Sequence, residues 1–265
     1  MVQKKKAIVW FTNNLRVFDN ASLFNAFAES DEVVGYYNFQ SNNFDKDKWG
    51  FRRTERFRLK FLLESLEDLK NKLLEINVSL IIDFSSNMDG LIKWINKLKI
   101  SSIYYQKEWT DYEISNEKEL KNKLPKGFKF NSEFDQFLYH PIDVKESIKS
   151  IDNVFSTFRK KIEKNIEVRE CTSTPKKLDK SNLLRIKFDI PKMNSMGYDD
   201  IRVHPNSAFT FLGGSNEGIK RIDYYFWKSK KLSFYKKTRN GLLKTDYSSK
   251  LSSWLANGSV SAKQI

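Results

Sequence analysis

Four short apolar runs, separated by stretches of helical periodicity, constrain this chain more than any other feature. Residues 7–11, 33–37, 79–84 and 100–105 are nearly continuous in apolar, aromatic and β-branched side chains. That is the pattern of strands buried on both faces of a parallel sheet. Between the second and third runs, Phe57, Phe61, Leu62, Leu66, Leu69, Leu73 and Leu74 recur at helical spacing opposite Glu64, Asp68 and Lys72, which predicts an amphipathic helix. Leu91, Ile92, Ile95 and Leu98 mark another. Asp19 or Asn20 can cap a helix over residues 21–29, and Arg16 can pair with Asp19. Strand, helix and strand in alternation require right-handed crossovers, so the expected first domain is α/β, a doubly wound parallel five-stranded sheet.

In such sheets ligands sit beyond the carboxyl ends of the strands, which directs attention to the segments after Phe11 and Tyr105. The first reads Thr12-Asn13-Asn14-Leu15-Arg16. It lacks the G-x-G-x-x-G fingerprint, which argues against a standard dinucleotide site there. In the second, Gln106 and Glu108 fall just past a strand end. A carboxylate there can accept N–H donors from a pterin-like ring, and Trp109 can offer a stacking face. Asp111 and Glu113 read as acids complementing the macrodipole at a helix N-terminus; Glu108 fits either role.

Residues 143–205 lack a clear period and read as a connector crossing a surface towards a second domain. Within it, residues 153–163 form a basic amphipathic helix with a solvated face. After Gly213-Gly214 the pattern turns helical, with Ser215 as a cap and Ile219, Ile222, Tyr225, Phe226 and Leu232 on the apolar side. A further helix is expected near Ser249, carrying Leu251, Trp254 and Leu255. Its start is dense in hydroxyls, Ser248, Ser249 and Ser252, beside Lys250. Free N–H groups and the positive end of the helix suit a bound phosphate; ordinary serine capping explains the same pattern. Trp227 and Trp254 read as core packing. The expected domains are residues 1–135, a connector at 136–204, and a helical region at 205–265.

The 47 Lys and Arg residues against 33 Asp and Glu leave a net charge of +14, which suits a polyanionic partner, nucleic acid first; a lysine-rich solvated surface accounts for it as well. Cys171 is the single cysteine, so no disulfide forms within the chain, and His140 and His204 are too few for a zinc site. The basic start precedes an apolar run too short for a signal segment, and no stretch has the length of a membrane span. A soluble, cytoplasmic protein is expected.

Four stretches carry a family resemblance. Residues 10–20, W-F-T-N-N-L-R-V-F-D-N, resemble the opening signature of the photolyase/cryptochrome family. Phe158-Arg159-Lys160-Lys161-Ile162-Glu163 is similar to the F-R-K-x-(V/I)-E segment of cryptochrome DASH proteins. Residues 235–243, Y-K-K-T-R-N-G-L-L, and 246–258, D-Y-S-S-K-L-S-S-W-L-A-N-G, resemble the start of the DASH flavin-binding helical domain. Ser253, where proline is frequent, and Asn257, usually a larger apolar residue or Thr, depart from that pattern. The resemblance runs from residue 8 to 265.

It implies an antenna domain followed by the incomplete start of an all-α FAD-binding domain. The implied FAD contacts are Tyr235, Ser248, Ser249, Lys250, Leu251 and Ser252. The implied antenna, 5,10-methenyltetrahydrofolate, would lie at Glu108 and Gln106. No metal and no catalytic residue is implied within this chain, because the family's electron-transfer tryptophans and lesion pocket come later. The implied activity is blue-light-driven repair of cyclobutane pyrimidine dimers in single-stranded or looped-out DNA, where a lesion flips more easily, by a protein that is monomeric when complete. The alternatives are a blue-light photoreceptor with little repair activity, or, for this chain alone, an inactive fragment limited to antenna binding. A half-built helical domain is expected to expose Tyr225, Phe226 and Trp254 and to aggregate.

Overall fold

The computed structural model describes residues 4–242 and 244–265; Leu243 of the T-R-N-G-L-L run and the first three residues of the basic start lie outside the described residues. Strands β1 (Lys6–Trp10), β2 (Glu32–Asn38), β3 (Leu80–Asp83), β4 (Ser102–Gln106) and β5 (Lys129–Glu133) form one parallel sheet in the order β3-β2-β1-β4-β5. The apolar runs mark the first four. β5 carries no such run: it is Lys-Phe-Asn-Ser-Glu, half exposed at the sheet edge, where polar residues discourage further strand pairing.

Helices cover both faces. α1 (Ala21–Glu29) and α2 (Arg56–Glu75) pack on one side around Leu23, Ala26, Leu66 and Leu69; α3 (Asp89–Leu98) and α4 (Asp111–Lys123) pack on the other around Leu91, Ile95 and Leu120. The α1 cap is Asn20, whose Oδ1 accepts from the Leu23 amide at 2.9 Å. Asp19 turns elsewhere: its carboxylate takes the Thr172 amide and Lys263.

α2 carries two stripes. Leu59, Leu63, Leu66, Leu69 and Leu73 face the sheet, so Phe57 and Leu74, expected in the core, stand exposed. The other stripe, Phe61, Glu64, Ser65 and Asp68, receives the second part of the chain. Glu64 accepts the Gly213 amide, Ser65 Oγ the Gly214 amide, and Asp68 the Ser215 amide, at 2.8–2.9 Å. Ser215 therefore does not cap α7 (Ser215–Ile222); Asp68 caps it across the interface.

The connector holds α5 (Pro141–Ser147) and α6 (Phe155–Asn165) and does more than cross a surface. Phe188, Ile190, Met193 and Met196 pack against the core, and Tyr198 is buried in it. Asn182 bonds both backbone groups of Val33, pairing with β2 where β3 has not yet begun.

Beyond α7 come a π-helical turn (Asp223–Lys228), α8 (Tyr235–Thr238) and α9 (Ser252–Ala256). Ile222, Leu251, Trp254 and Val260 form a small core completed by Phe61, Phe209, Phe211 and Phe226. Tyr225 and Trp254 are thus buried rather than exposed, whereas Trp227 is 72% exposed and is not core packing. Ile219 and Leu232 are also exposed. The helix expected near Ser249 is only residues 252–256, and a 3-10 turn (Ala262–Gln264) closed by a Ser261–Gln264 capping box follows it.

Candidate functional site

Chain order places β2 and β3 on one side of β1, and β4 and β5 on the other, so the order reverses between β1 and β4. Ligand crevices form at such reversals, outside the carboxyl ends. A cavity of about 1040 Å³ opens there, walled by Trp10, Tyr105 and Gln106 and reaching Asn38 at the end of β2 and Gln40 just past it. Phe209, Ser253 and Asn257 close it from the second part of the chain. Both halves of the molecule therefore shape it.

Glu108 sits in this wall. Its Oε1 accepts from Thr12 Oγ1 at 2.8 Å, Gln106 Nε2 at 3.0 Å and Asn13 Nδ2 at 3.2 Å. Three donors on one oxygen fix the carboxylate and leave Oε2 without a donor among the described residues. Gln106 is 1% exposed and Gln40 is 7% exposed. Yet Gln106 Oε1 and Gln40 Nε2 lack partners, as do Asn38 Oδ1 and Glu113 Oε2. Buried polar groups are normally satisfied, so unpartnered donors and acceptors around one cavity fit a ligand with a polar edge. Trp10 and Tyr105, 5.8 Å apart, supply an aromatic wall. Burial, with Glu117 beside it, pushes the Tyr105 hydroxyl pKa up, keeping it neutral.

Trp109 does not face this cavity. It is 52% exposed and stacks on Phe134, ring centroids 5.5 Å apart, because the chain turns outward after Glu108 to start α4. Asp111 and Glu113 do open α4. Thr12 and Asn13 stand in the segment after Phe11 to which strand order drew attention, though no role was assigned to them; Asn38 and Gln40 were not singled out from the sequence. Asn38 ends β2 and the other three lie just past a strand's carboxyl end, and that position was the signal available.

The Leu15-Arg16 signature works as a joint. Arg16 is 2% exposed and donates to the backbone oxygens of Asp19 (2.8 Å), Gly258 (2.9 Å) and Asp135 (3.0 Å). It binds the Asp19 carbonyl, not the carboxylate, so the expected Arg16–Asp19 side-chain pair does not form. A Cβ on Gly258 would lie 1.8 Å from the Asn13 carbonyl oxygen, so only glycine lets the two loops approach this closely.

The second cluster is residues 245–252. Arg221, 5% exposed, donates to the carbonyls of Thr245, Ser248 and Ser249 and to Asp246 Oδ1, all at 2.9–3.0 Å. The carbonyls are thus turned inward, and the hydroxyls of Ser248, Ser249 and Ser252 make no hydrogen bond among the described residues. Lys250 lies over the Tyr247 ring at 3.4 Å. Thr238 Oγ1 bonds the Tyr247 carbonyl at 3.0 Å, which brings α8, headed by Tyr235, to this loop. Leu251 is in the small core, so its backbone alone can meet a ligand. α9 spans five residues, too short for a strong macrodipole; hydroxyls and Lys250, not the helix end, make this loop attractive to phosphate. Among the described residues no group of three or more His, Cys, Asp or Glu is placed to hold a metal ion, and no helix is long and apolar enough to cross a membrane.

The chain is similar to known proteins along nearly its whole length. The family model for DNA photolyase matches residues 7–178. Cryptochrome DASH of Gloeobacter violaceus is 33% identical over 262 residues, covering 98% of this chain and 52% of that protein. Cryptochrome DASH of Xenopus laevis is 30% identical, covering 100% of this chain and 51% of its own length. The chain therefore spans about half the length of the curated relatives it matches. Among solved structures, the Synechocystis cryptochrome superposes with a TM-score of 0.88 at 30% identity, over 99% of this chain and 55% of that one. A class III photolyase of Agrobacterium tumefaciens shares the fold at a TM-score of 0.77 and 20% identity, over 100% and 52% of the two chains.

Proposed function

Since this chain belongs to the cryptochrome/photolyase family and matches the N-terminal half of its DASH members, we propose that it forms the antenna site and the first flavin contacts of a light-driven flavoprotein that repairs cyclobutane pyrimidine dimers, preferentially in single-stranded DNA. The observation that carries this reading is the cavity at the β1/β4 reversal, with a fixed glutamate and unpartnered polar atoms around aromatic walls. Its partner there is 5,10-methenyltetrahydrofolate. In this role Glu108 Oε2 accepts N–H donors from the pterin ring, Gln106 Oε1 takes a further donor, and Trp10 and Tyr105 exclude water.

FAD is the second cofactor. Residues 205–265 begin the helical region that holds it, with Ser248, Ser249, Ser252 and Lys250 on its phosphates, Tyr235 beside them, and Leu251 contributing its amide. When bound, the folate supplies excitation and the reduced flavin supplies the electron that splits the dimer. What the chain's own residues do is bind and orient: Arg221 turns three carbonyls away so that the loop presents donors outward. The lesion is carried by DNA, a fit for the chain's positive charge. A monomeric state and a cytoplasmic setting belong to the same reading.

Absorption spectroscopy of the purified chain after addition of methenyltetrahydrofolate and desalting tests it. A retained near-ultraviolet band, lost in Glu108→Gln, is the expected result. No retained band, or one unaffected by the substitution, would remove the antenna assignment. Flavin retention by the same chain tests the second site. A blue-light photoreceptor would use the same pockets, and a repair assay on dimer-containing single-stranded DNA with the complete protein separates the two.

A further inference from the structure

Between β2 and α2 the chain makes an excursion whose base lines the cavity but whose tip, residues 46–52, does not. Lys46 and Arg52 bridge in antiparallel fashion. Inside that bridge the Asp47 amide donates to the Phe51 carbonyl at 2.8 Å, and the Gly50 amide to the Asp47 carbonyl at 3.0 Å. Asp47 Oδ1 also accepts the amides of Trp49 and Phe51, at 2.8 and 3.0 Å. Gly50 has φ +84°, the left-handed residue that closes a three-residue hairpin loop. The base is clamped: Arg52 lies over the buried Tyr198 ring at 4.0 Å and donates to the Gly197 carbonyl, while the Tyr198 hydroxyl bonds the Phe44 and Thr54 carbonyls.

This preformed tip displays large aromatic rings to water. Trp49 is 72% exposed and Phe51 71%; Phe57, at the start of α2, is 60% exposed. Lys46, Lys48, Arg53, Arg56 and Arg58 are all exposed, and none enters an ion pair among the described residues. The acids in the same stretch are Asp45, Asp47 and Glu55, and Asp47 is already occupied by backbone amides. The surplus is positive, and it runs from the tip to the rim of the cavity, where Phe57 and Arg58 lie.

We infer that the 46–58 segment is a docking surface for single-stranded nucleic acid, in which Trp49 and Phe51 stack on bases while the lysines and arginines follow the phosphates. Every base has a π-face, so aromatic platforms interleaved with cations bind single strands without reading sequence. The bracing of the turn means little order must be imposed on binding, which preserves affinity. An anionic membrane also attracts aromatic and basic residues. But residues 45–58 contain no Leu, Ile, Val or Met, and an inserting tip normally adds such side chains. The inference is independent of the antenna and flavin assignments, because undamaged nucleic acid and no cofactor suffice to test it.

The probe is an undamaged fluorescent oligothymidylate of about 15 nucleotides, titrated against the 265-residue chain at low salt. Saturable binding is expected, and Trp49→Ala and Phe51→Ala should each weaken it about fivefold or more. Trp49→Phe, which keeps a stacking face, should retain most of the affinity. Trp227→Ala removes an equally exposed indole elsewhere and should leave binding unchanged. Lys48→Ala should lower the slope of log affinity against log salt by about 0.7, one phosphate contact on a single strand. The inference is overturned if the wild-type chain does not bind, or if Trp49→Ala and Trp227→Ala have equal effects. It also falls if Trp49→Ala abolishes binding to phosphatidylserine vesicles but not to the oligonucleotide.

Discussion

The α/β part and the helical part of this molecule are held together by different physics. In the first, strands and helices bury a continuous apolar core on both faces of the sheet, with Ala7, Ile8 and Val9 fully buried at its centre. In the second, four buried apolar residues form the core and borrow Phe61 from α2. Its other ties are polar: Asp68 to Ser215, Arg16 to Gly258, Lys263 to Asp19 and Arg221 to the 245–249 carbonyls. Apolar burial is spread over many contacts and tolerates the loss of one. A polar joint rests on a few atoms whose geometry must hold. The second part should therefore open before the first, in keeping with the uneven stability of local units.

Three measurements can break or sharpen this contrast. The largest effect is expected from Gly258→Ala. Its Cβ would meet the Asn13 carbonyl oxygen at 1.8 Å, and its φ is +69°. A loss of about 4 kcal/mol is expected, confined to the joint: amides of residues 252–264 should lose hydrogen-exchange protection while those of β1 keep theirs. Equal loss in both regions would show that the two parts unfold as one.

Leu66→Ala comes next, at about 3 kcal/mol. Leu66 is fully buried against the sheet, on the α2 stripe opposite Ser65 and Asp68. Because α2 is shared, the melting temperature should fall for both regions together. A change limited to the sheet would mean that the helical part does not depend on α2 being rigid.

The smallest effect is one of pH. Burial pushes the Asp19 carboxyl pKa up, but hydrogen bonds from Lys263, Ser261 and the Thr172 amide, with the Lys263 charge, outweigh it and hold it below its usual 3.8. A carboxyl with a depressed folded pKa stabilises the fold above the unfolded value and loses that contribution as pH falls through the folded one. Protection of the Thr172 amide and of residues 261–264 should thus fade on acidification below about pH 4, before that of β1. Lys263→Met should make this acid loss smaller, which exchange at two pH values reads directly.

Much of the α/β part was legible in the residues. Four strands announce themselves as apolar runs, and α1 runs over residues 21–29 as its capping pattern suggests. β5 was silent because an edge strand needs no apolar run. In α2 the helical period was plain, but the buried stripe was not. Leu59 and Leu63 face the sheet and Phe57 does not, a choice set by how the helix lies on the strands. Glu108 and Gln106 could be placed past the end of β4 from order along the chain. That Thr12 and Asn13 would grip Glu108 across about ninety intervening residues could not.

The sequence alone determined the strand and helix periods, the position of polar residues just beyond strand ends, and the family-like segments at residues 10–20 and 235–258. Those are local properties, written in neighbouring residues. Tertiary structure alone decided which polar groups meet. Arg16 and Gly258 lie 242 residues apart, Ser65 and Gly214 149 apart, and no period or propensity links them. Trp254 is buried and Trp227 bare for the same reason: a side chain's environment is set by what the fold brings to it, and for the helical part that partner is a helix formed far earlier in the chain.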